Sequence, residues 1–370
     1  GGQLVLHFSV TIAANLPSSV TEIVNDGISI HGEDGLSTTG SPHTTAIAPA
    51  HAVSLDPATA SGGAKDAAAA SYIEHVTNDG YQTDSYAITA SGGWPTAAYD
   101  ATCTTPLTTT ATVAAGDSVD VCVKVDVPVD AAEAETSTST VTVTSSADAT
   151  VHASATLTTY AAAFDTLLVD GGNLPAIAER YKAAVGGTSY GYWDLTKEPN
   201  LPQAYLTAHR NVVWWTSNAY PAPITPYESE LKAFLDGGGR LMMSGQDILD
   251  QAAGTTSFVH DYLHVDWNGT EVQNDQATGT VTGVPGNPVT GSAGILPLDH
   301  LVLGANYEDQ VTPIDPATAA FKDDTRATDG LTVSTAVYKV FFMAFPFESV
   351  GSATDRSALM ASTLSWFGTP

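Results

Sequence analysis

Apolar and polar positions alternate from the first residues of the chain. Leu4, Leu6, Phe8, Val10 and Ile12 interleave with Val5, His7, Ser9 and Thr11, the two-residue period of a half-buried strand. The turn-like "NLPSS" and a second run, "EIVNDGISI", make residues 1–31 an expected β-hairpin. A hairpin alone is marginal in water. It must therefore pack on a neighbour, on another chain, or on a domain upstream. Residues 32–50, "GEDGLSTTGSPHTTAIAPA", are rich in Gly, Ser, Thr and Pro and are expected as linker.

From residue 51 to 161 strand patterns recur at short intervals. "HAVSLDP", "TDSYAITASG" and "DSVDVCVKVDVP" are rich in Val, Thr and Tyr and are punctuated by Asn-Asp-Gly and Ser-Gly. That pattern predicts an immunoglobulin-like sandwich of about seven strands, with Trp94 plugging one end of its core. Beyond residue 162 the pattern changes. The short apolar run "FDTLLVDGG" precedes the helix-like "LPAIAERYKAAV", and "NVVWWTS" precedes "YESELKAFLDGGG", in which Tyr227, Leu231, Phe234 and Leu235 share a face. "RLMMSG" and "YKVFFMAFPFESV" read as further buried strands, and "DRSALMASTLSWF" as a closing helix. Alternating strands and helices predict an α/β domain over 162–370, built on a parallel sheet with right-handed crossovers.

Composition narrows the partners. Forty acids face twelve bases, for a formal net charge of −28, and Lys65 and Lys124 are the only bases before residue 161. Such a surface repels phosphate backbones and anionic lipid, so neither nucleic acid nor a membrane surface is an expected partner. No run of about twenty apolar residues is present for membrane insertion. The chain opens inside a strand pattern, and we expect a mature product or fragment whose export signal lay upstream. Cys103 and Cys122 are the two cysteines. An even count in an export-type composition favours a disulfide, worth roughly 3 kcal/mol for such a loop, over two separately buried thiols. An extracellular or cell-surface setting follows.

Three stretches carry a resemblance. Residues 1–31 resemble the last two strands of the repeated sandwich modules of bacterial surface proteins. The run "YIEHVTNDGYQTDSYAITASGGWP" resembles the immunoglobulin-like accessory modules appended to secreted bacterial hydrolases, which serve as spacers and binders. "LLVDGG", "VVWWTS" and "FLDGGGRLMMSGQDI" together resemble the class I glutamine-amidotransferase-like branch of flavodoxin-type folds. The pairing of the two domains is similar to the C-terminal accessory region of secreted subtilisin-like peptidases. The peptidase motifs are not here: the one "GTS", Gly187–Ser189, runs into "YGY". In the amidotransferase-like family the strand corresponding to "RLMM" ends in a Cys held at a tight elbow. This chain offers Ser244 and Gln246 there and has no Cys in the domain, which implies a fold without turnover.

Several residues nevertheless invite chemistry. In "FVHDYLH", Phe258–His264, two histidines stand four apart with an acid after the first, the skeleton of a zinc-peptidase helix. Asp261 is one methylene shorter than the usual Glu. Asp266, Glu271 and His300 are conceivable third ligands, while Phe258, Val259, Tyr262, Leu263 and Val265 explain a helix without metal. A Ser244 hydrolase needs an imidazole and an acid behind it, with His260, His264, His300, Asp247 and Asp250 available. Asp170-Gly171-Gly172 follows the first α/β strand, where such sheets place ligands, or is simply a tight turn. Asp323–Gly330 and Asn78–Gly80 cluster oxygen atoms suited to Ca²⁺, or are ordinary acidic turns; no other cofactor is expected. Asn268-Gly-Thr270 fits a glycosylation acceptor. Trp193, Trp214, Trp215 and Tyr220 could line a sugar-binding shelf, although adjacent Trp214 and Trp215 point to opposite faces, so at least one is core.

The expected function is thus a non-catalytic, secreted or cell-surface scaffold, spacer or binding platform. Its partners would be other copies of itself, upstream domains of the same precursor, or cell-surface polysaccharide. Self-assembly would add the strand Leu4–Ile12 to a neighbouring sheet and propagate as a filament or surface layer. The alternatives are an accessory region of a subtilisin-like peptidase, or a hydrolase built on Ser244, Asp170 and His260.

Overall fold

The computed structural model describes residues 20–26, 28–47, 49–172, 174–250, 256–267, 279–304 and 307–368. The strand of Leu4, Leu6, Phe8, Val10 and Ile12, the Asn268 triplet and Glu271 lie outside the described residues. The chain groups into two compact units. One takes residues 1–60, 69–126 and 137–158, the other 61–68, 127–136 and 159–370.

In the first unit, β1 (Glu22–Asn25) pairs antiparallel with β4 (His43–Ala46), and β2 (Ser29–His31) with β3 (Ser37–Thr39). Residues 32–50 are therefore not a bare linker. Their Thr and Ser residues suit an extended backbone, and main-chain bonds such as Gly32 N–H to Leu36 O, with Gly35 at φ 81°, close the hairpin between β2 and β3. Little apolar surface is covered: Val24, Ile30 and Leu36 stay exposed.

The sandwich strands follow as β5 (Val53–Asp56), β6 (Thr59–Lys65), β7 (Ala69–Asn78), β8 (Tyr86–Gly92), β9 (Thr96–Tyr99), β10 (Ser118–Asp126), β11 (Thr136–Ser145) and β12 (His152–Ala162). They form two four-stranded sheets, ordered β5-β7-β10-β9 and β6-β12-β11-β8, eight strands rather than about seven. Burial alternates strictly along β7, so Ala70, Tyr72, Glu74, Val76 and Asn78 are buried while their neighbours face outward. Trp94 is buried, as expected for a core plug. The disulfide forms between Cys103 and Cys122, with Cα atoms 5.2 Å apart, and ties the 100–106 turn to β10. Asn78 is spent on its own turn. Its amide donates to Gln82 O and Val113 O and its carbonyl accepts from Gly80 N–H, so Asn78 braces the chain at this step.

The second unit contains β13 (Thr166–Asp170), α1 (Pro175–Val185), β14 (Tyr190–Asp194), α2 (Gln203–Ala208), β15 (Asn211–Ser217), α3 (Glu228–Asp236) and β16 (Arg240–Gly245). It continues with α4 (Ser257–Asp261), β17 (Val265–Asp266), β18 (Thr280–Gly283), β19 (Ile295–Pro297), β20 (Thr312–Pro313), β21 (Thr318–Lys322), β22 (Thr328–Ser334), β23 (Lys339–Met343) and α5 (Ala353–Phe367). Nine of these strands form one sheet, ordered β14-β13-β15-β16-β23-β22-β21-β18-β19. The first five pair in parallel, but β22, β21, β18 and β19 extend the sheet antiparallel. The expected wholly parallel sheet is therefore a mixed one. The reversal comes at Thr335–Tyr338, where the Thr335 hydroxyl accepts from Val337 N–H and Tyr338 N–H and turns β22 directly into β23.

Alternation along the parallel strands feeds two cores. Leu167, Val169, Val212, Trp214, Leu241, Met243 and Phe342 meet α2, α3 and α4 on one face. Leu168, Val213, Trp215, Met242, Phe341 and Met343 meet α1 and α5 on the other. Coverage on both faces explains why these strands read as unbroken apolar runs. Trp214 and Trp215 are both fully buried, so neither belongs to a surface shelf. No described helix is long and apolar enough to cross a membrane.

Candidate functional site

The carboxyl ends of β13, β14, β15, β16 and β23 bring Asp170, Asp194, Ser217, Ser244 and Glu348 to one edge of the sheet, where open α/β sheets place ligands. Asp170 and Asp194 are partners in the β13–β14 register. Asp170 is buried, and one oxygen accepts from Gly172 N–H at 3.0 Å while the other accepts from the Tyr192 hydroxyl at 2.8 Å. Burial raises its pKa, and those two hydrogen bonds only partly offset the rise. Burial and the adjacent Asp170 likewise push the Tyr192 phenol well up. Asp194 is desolvated too, but Lys197, 2.7 Å away, and Thr196 hold it below the usual carboxylate range.

The Asp-Gly-Gly step is required by crowding. A Cβ on Gly172 would stand 2.8 Å from Ser217 Oγ, and one on Gly171 would stand 3.0 Å from Trp215 O. A cavity of about 280 Å³ opens beside it, between α1 and the end of β14, lined by Asp170, Gly172, Ala178, Lys182, Tyr192 and Asp194. The Lys182 ammonium lies 4.2 Å from the centre of the Tyr192 ring and 3.0 Å from Glu179.

Ser244 is fully buried on the α1 side of the sheet. Its hydroxyl accepts from Phe347 N–H at 2.7 Å, donates to Phe345 O at 3.3 Å, and lies 3.2 Å from the Tyr181 hydroxyl. Tyr181 in turn donates to Glu348 at 2.6 Å. Burial pushes Glu348 above the ordinary carboxyl range, against the pull of the Ser217 and Tyr181 hydroxyls, and burial and Glu348 push the Tyr181 phenol up. The Arg180 guanidinium reaches only the Glu348 carbonyl, at 2.7 Å. This is a buried network of hydroxyls and one carboxyl.

The histidines are elsewhere. Helix α4 is five residues long and ends at Asp261, because Tyr262 and Leu263 turn away and His264 takes φ 54°. His260 and His264 therefore do not share a helix face. The exposed His260 bonds Asp261 at 2.6 Å, and His264 Nε2 lies 3.0 Å from the Tyr338 hydroxyl. Helix α4 packs on the face opposite Tyr181, so His260 does not join Ser244 and Asp170 in a triad. Among the described residues no three His, Cys, Asp or Glu side chains group as a metal site. In "DDTRATDG", Asp323 spends its oxygens on Thr325, Ala327 N–H and Gln310, while Asp329 is buried with neither carboxylate oxygen bonded to another side chain. Sequence reasoning missed Tyr181 and Glu348; the one available signal was an acid inside the apolar run "FPFESV".

No known protein family matches the chain, and no curated protein matches it. Solved structures share parts of its shape. An exo-β-1,4-mannosidase from Opitutaceae bacterium strain TAV5 is 14% identical, with 55% of this chain and 35% of that one covered at a TM-score of 0.37. The chain thus spans about a third of that enzyme's length. The secreted serine protease VesC from Vibrio cholerae is 18% identical over 34% of this chain and 25% of its own, at a TM-score of 0.21. A FixG-related protein from Vibrio parahaemolyticus is 14% identical over 25% and 78%, also at 0.21. Likenesses of this size carry no function across.

Proposed function

We propose that this chain is a non-catalytic, secreted or cell-surface scaffold or binding platform. In this reading an immunoglobulin-like sandwich accompanies a flavodoxin-type, amidotransferase-like unit that has lost its reactive thiol. The supporting observation is the state of Ser244. Its hydroxyl is out of reach of solvent and already engaged with Phe347 N–H and Phe345 O, and the group beside it is a phenol rather than an imidazole. A serine nucleophile needs an open approach and a base within hydrogen-bond reach. The five parallel strands in the order β14-β13-β15-β16-β23 favour the flavodoxin-type assignment, and the disulfide favours an oxidising compartment. An accessory role beside a subtilisin-like peptidase, and assembly through the N-terminal strand, are versions of the same proposal.

The test is labelling of the purified protein with a fluorophosphonate probe, alongside hydrolysis of nitrophenyl esters and peptide amides. No labelling and no turnover are expected. Labelling that disappears in Ser244→Ala would overturn the proposal.

A further inference from the structure

Within the second unit, strand alternation on the edge strand β14 sends Tyr192 toward α1 and Trp193 to the opposite face. There Trp193 and Tyr160 line an open cleft of about 630 Å³, together with Thr136, Lys197, Glu198 and Asn200. Prolines 199 and 202 stiffen its rim. That volume lies within the range of small-ligand sites.

The two rings are held from beneath. Trp193 and Tyr160 both lean on Tyr205, with ring centres 5.3 and 6.1 Å away. Tyr205 is fully buried and donates its hydroxyl to Glu133, which also accepts from His209 Nε2 at 2.9 Å and Phe164 N–H at 3.2 Å. His209 Nδ1 is fixed in turn, 2.8 Å from Tyr205 O. Burial alone would raise Glu133, but the bonds from His209 and Tyr205 outweigh it and hold the carboxyl below its usual range. The Trp193 N–H donates to Glu198 O at 2.8 Å, which locks the indole to the 197–200 loop. A satisfied polar network under two aromatic walls preorganises them.

We infer that this cleft binds a neutral polysaccharide. A sugar ring has apolar C–H faces that lie on aromatic rings and a rim of hydroxyls that need both donors and acceptors. The cleft supplies both: two half-buried aromatics, with the carboxylate of Glu198, the amide of Asn200 and the hydroxyl of Thr136 among its lining side chains. The net charge of −28 disfavours anionic glycans. The inference deepens the binding-platform reading by naming its ligand class, and rests on it.

The experiment is affinity electrophoresis of the full chain in native gels containing xylan, mannan, mixed-linkage β-glucan or unmodified starch at 1%. Retardation by at least one is expected. Trp193→Ala is expected to weaken it about tenfold or more. Asn200→Ala, on an exposed loop, is expected to weaken it without touching the core, and Tyr220→Ala, whose exposed ring lies outside this cleft, to leave it unchanged. Migration unaffected by all four polysaccharides, or retardation that survives both cleft variants, overturns the inference. The same incubations are assayed for released reducing ends. Release would sink the non-catalytic reading while leaving the cleft in place.

Discussion

Glu74 is a fully buried acid in the alternating core of the sandwich. Alternation along β7 sends this acid inward between Tyr72 and Val76, and neither carboxylate oxygen has a hydrogen-bond partner. Burial first, then the neighbouring Asp56, push its pKa from 4.5 up to about 7, with His75 pulling weakly the other way. The folded state therefore holds an extra proton between pH 4.5 and about 7, so stability contributed at low pH is lost as pH rises through that window. At about 1.4 kcal/mol for each tenfold change in proton affinity, ionised Glu74 costs the fold roughly 3 kcal/mol above pH 7. Glu74→Gln removes the charge with little change of shape. It should match the parent near pH 4 and exceed it by roughly 3 kcal/mol at pH 8, on the order of 10 °C in melting temperature. Hydrogen exchange of the β7 and β10 peptides reads the opening of this unit directly, and thermal unfolding supplies the midpoint. A variant whose advantage is the same at pH 4 and pH 8 would show that the gain is packing and not charge.

Two other perturbations complete the set. Cys103→Ser with Cys122→Ser should lower stability by roughly 3 kcal/mol, as expected for opening a loop of this length, and reductant should reproduce the loss in the parent in denaturant titrations. Asp329 is fully buried beside Glu308 and Asp323, and its oxygens have no partner outside their own residue; burial, then those two acids, raise it well above the usual range. Asp329→Asn should melt higher than the parent at pH 8, with the gap closing as pH falls. An equal or lower melting temperature at pH 8 would show that the ionised acid is not a liability.

How much of this was legible depended on whether local pattern or long-range pairing decided the outcome. The runs around Leu167, Val212 and Leu241 could be read as buried parallel strands because both faces are covered and every position is apolar. The disulfide was legible from two cysteines alone. The antiparallel extension was not, since β18, β19 and β21 are three to five residues long and mixed in character, and their place is set by partners far along the chain. At the candidate site, Ser244, Asp170 and Gly172 were foreseen by position, but their use was not. Whether a hydroxyl is free or spent depends on Phe347 and Tyr181, which lie 103 and 63 residues away. The histidine pair misled because four-residue spacing implies a shared face only if the helix continues, and α4 stops at Asp261.

The carboxyl edge and the aromatic cleft differ in what their polar groups have left to offer. At the edge, the Asp170 carboxylate accepts from Gly172 N–H and Tyr192, Ser244 accepts from Phe347 N–H, and Tyr181 donates to Glu348. Those bonds offset the cost of burying polar groups. Around Trp193 the division is reversed. The polar network of Glu133, Tyr205 and His209 lies below, while Thr136, Glu198 and Asn200 line an open groove above it. The edge strand β14 thus presents Trp193 beside polar side chains and above a buried network that holds the ring in place. The same alternation that hides Ser244 on one face therefore exposes Trp193 on the other.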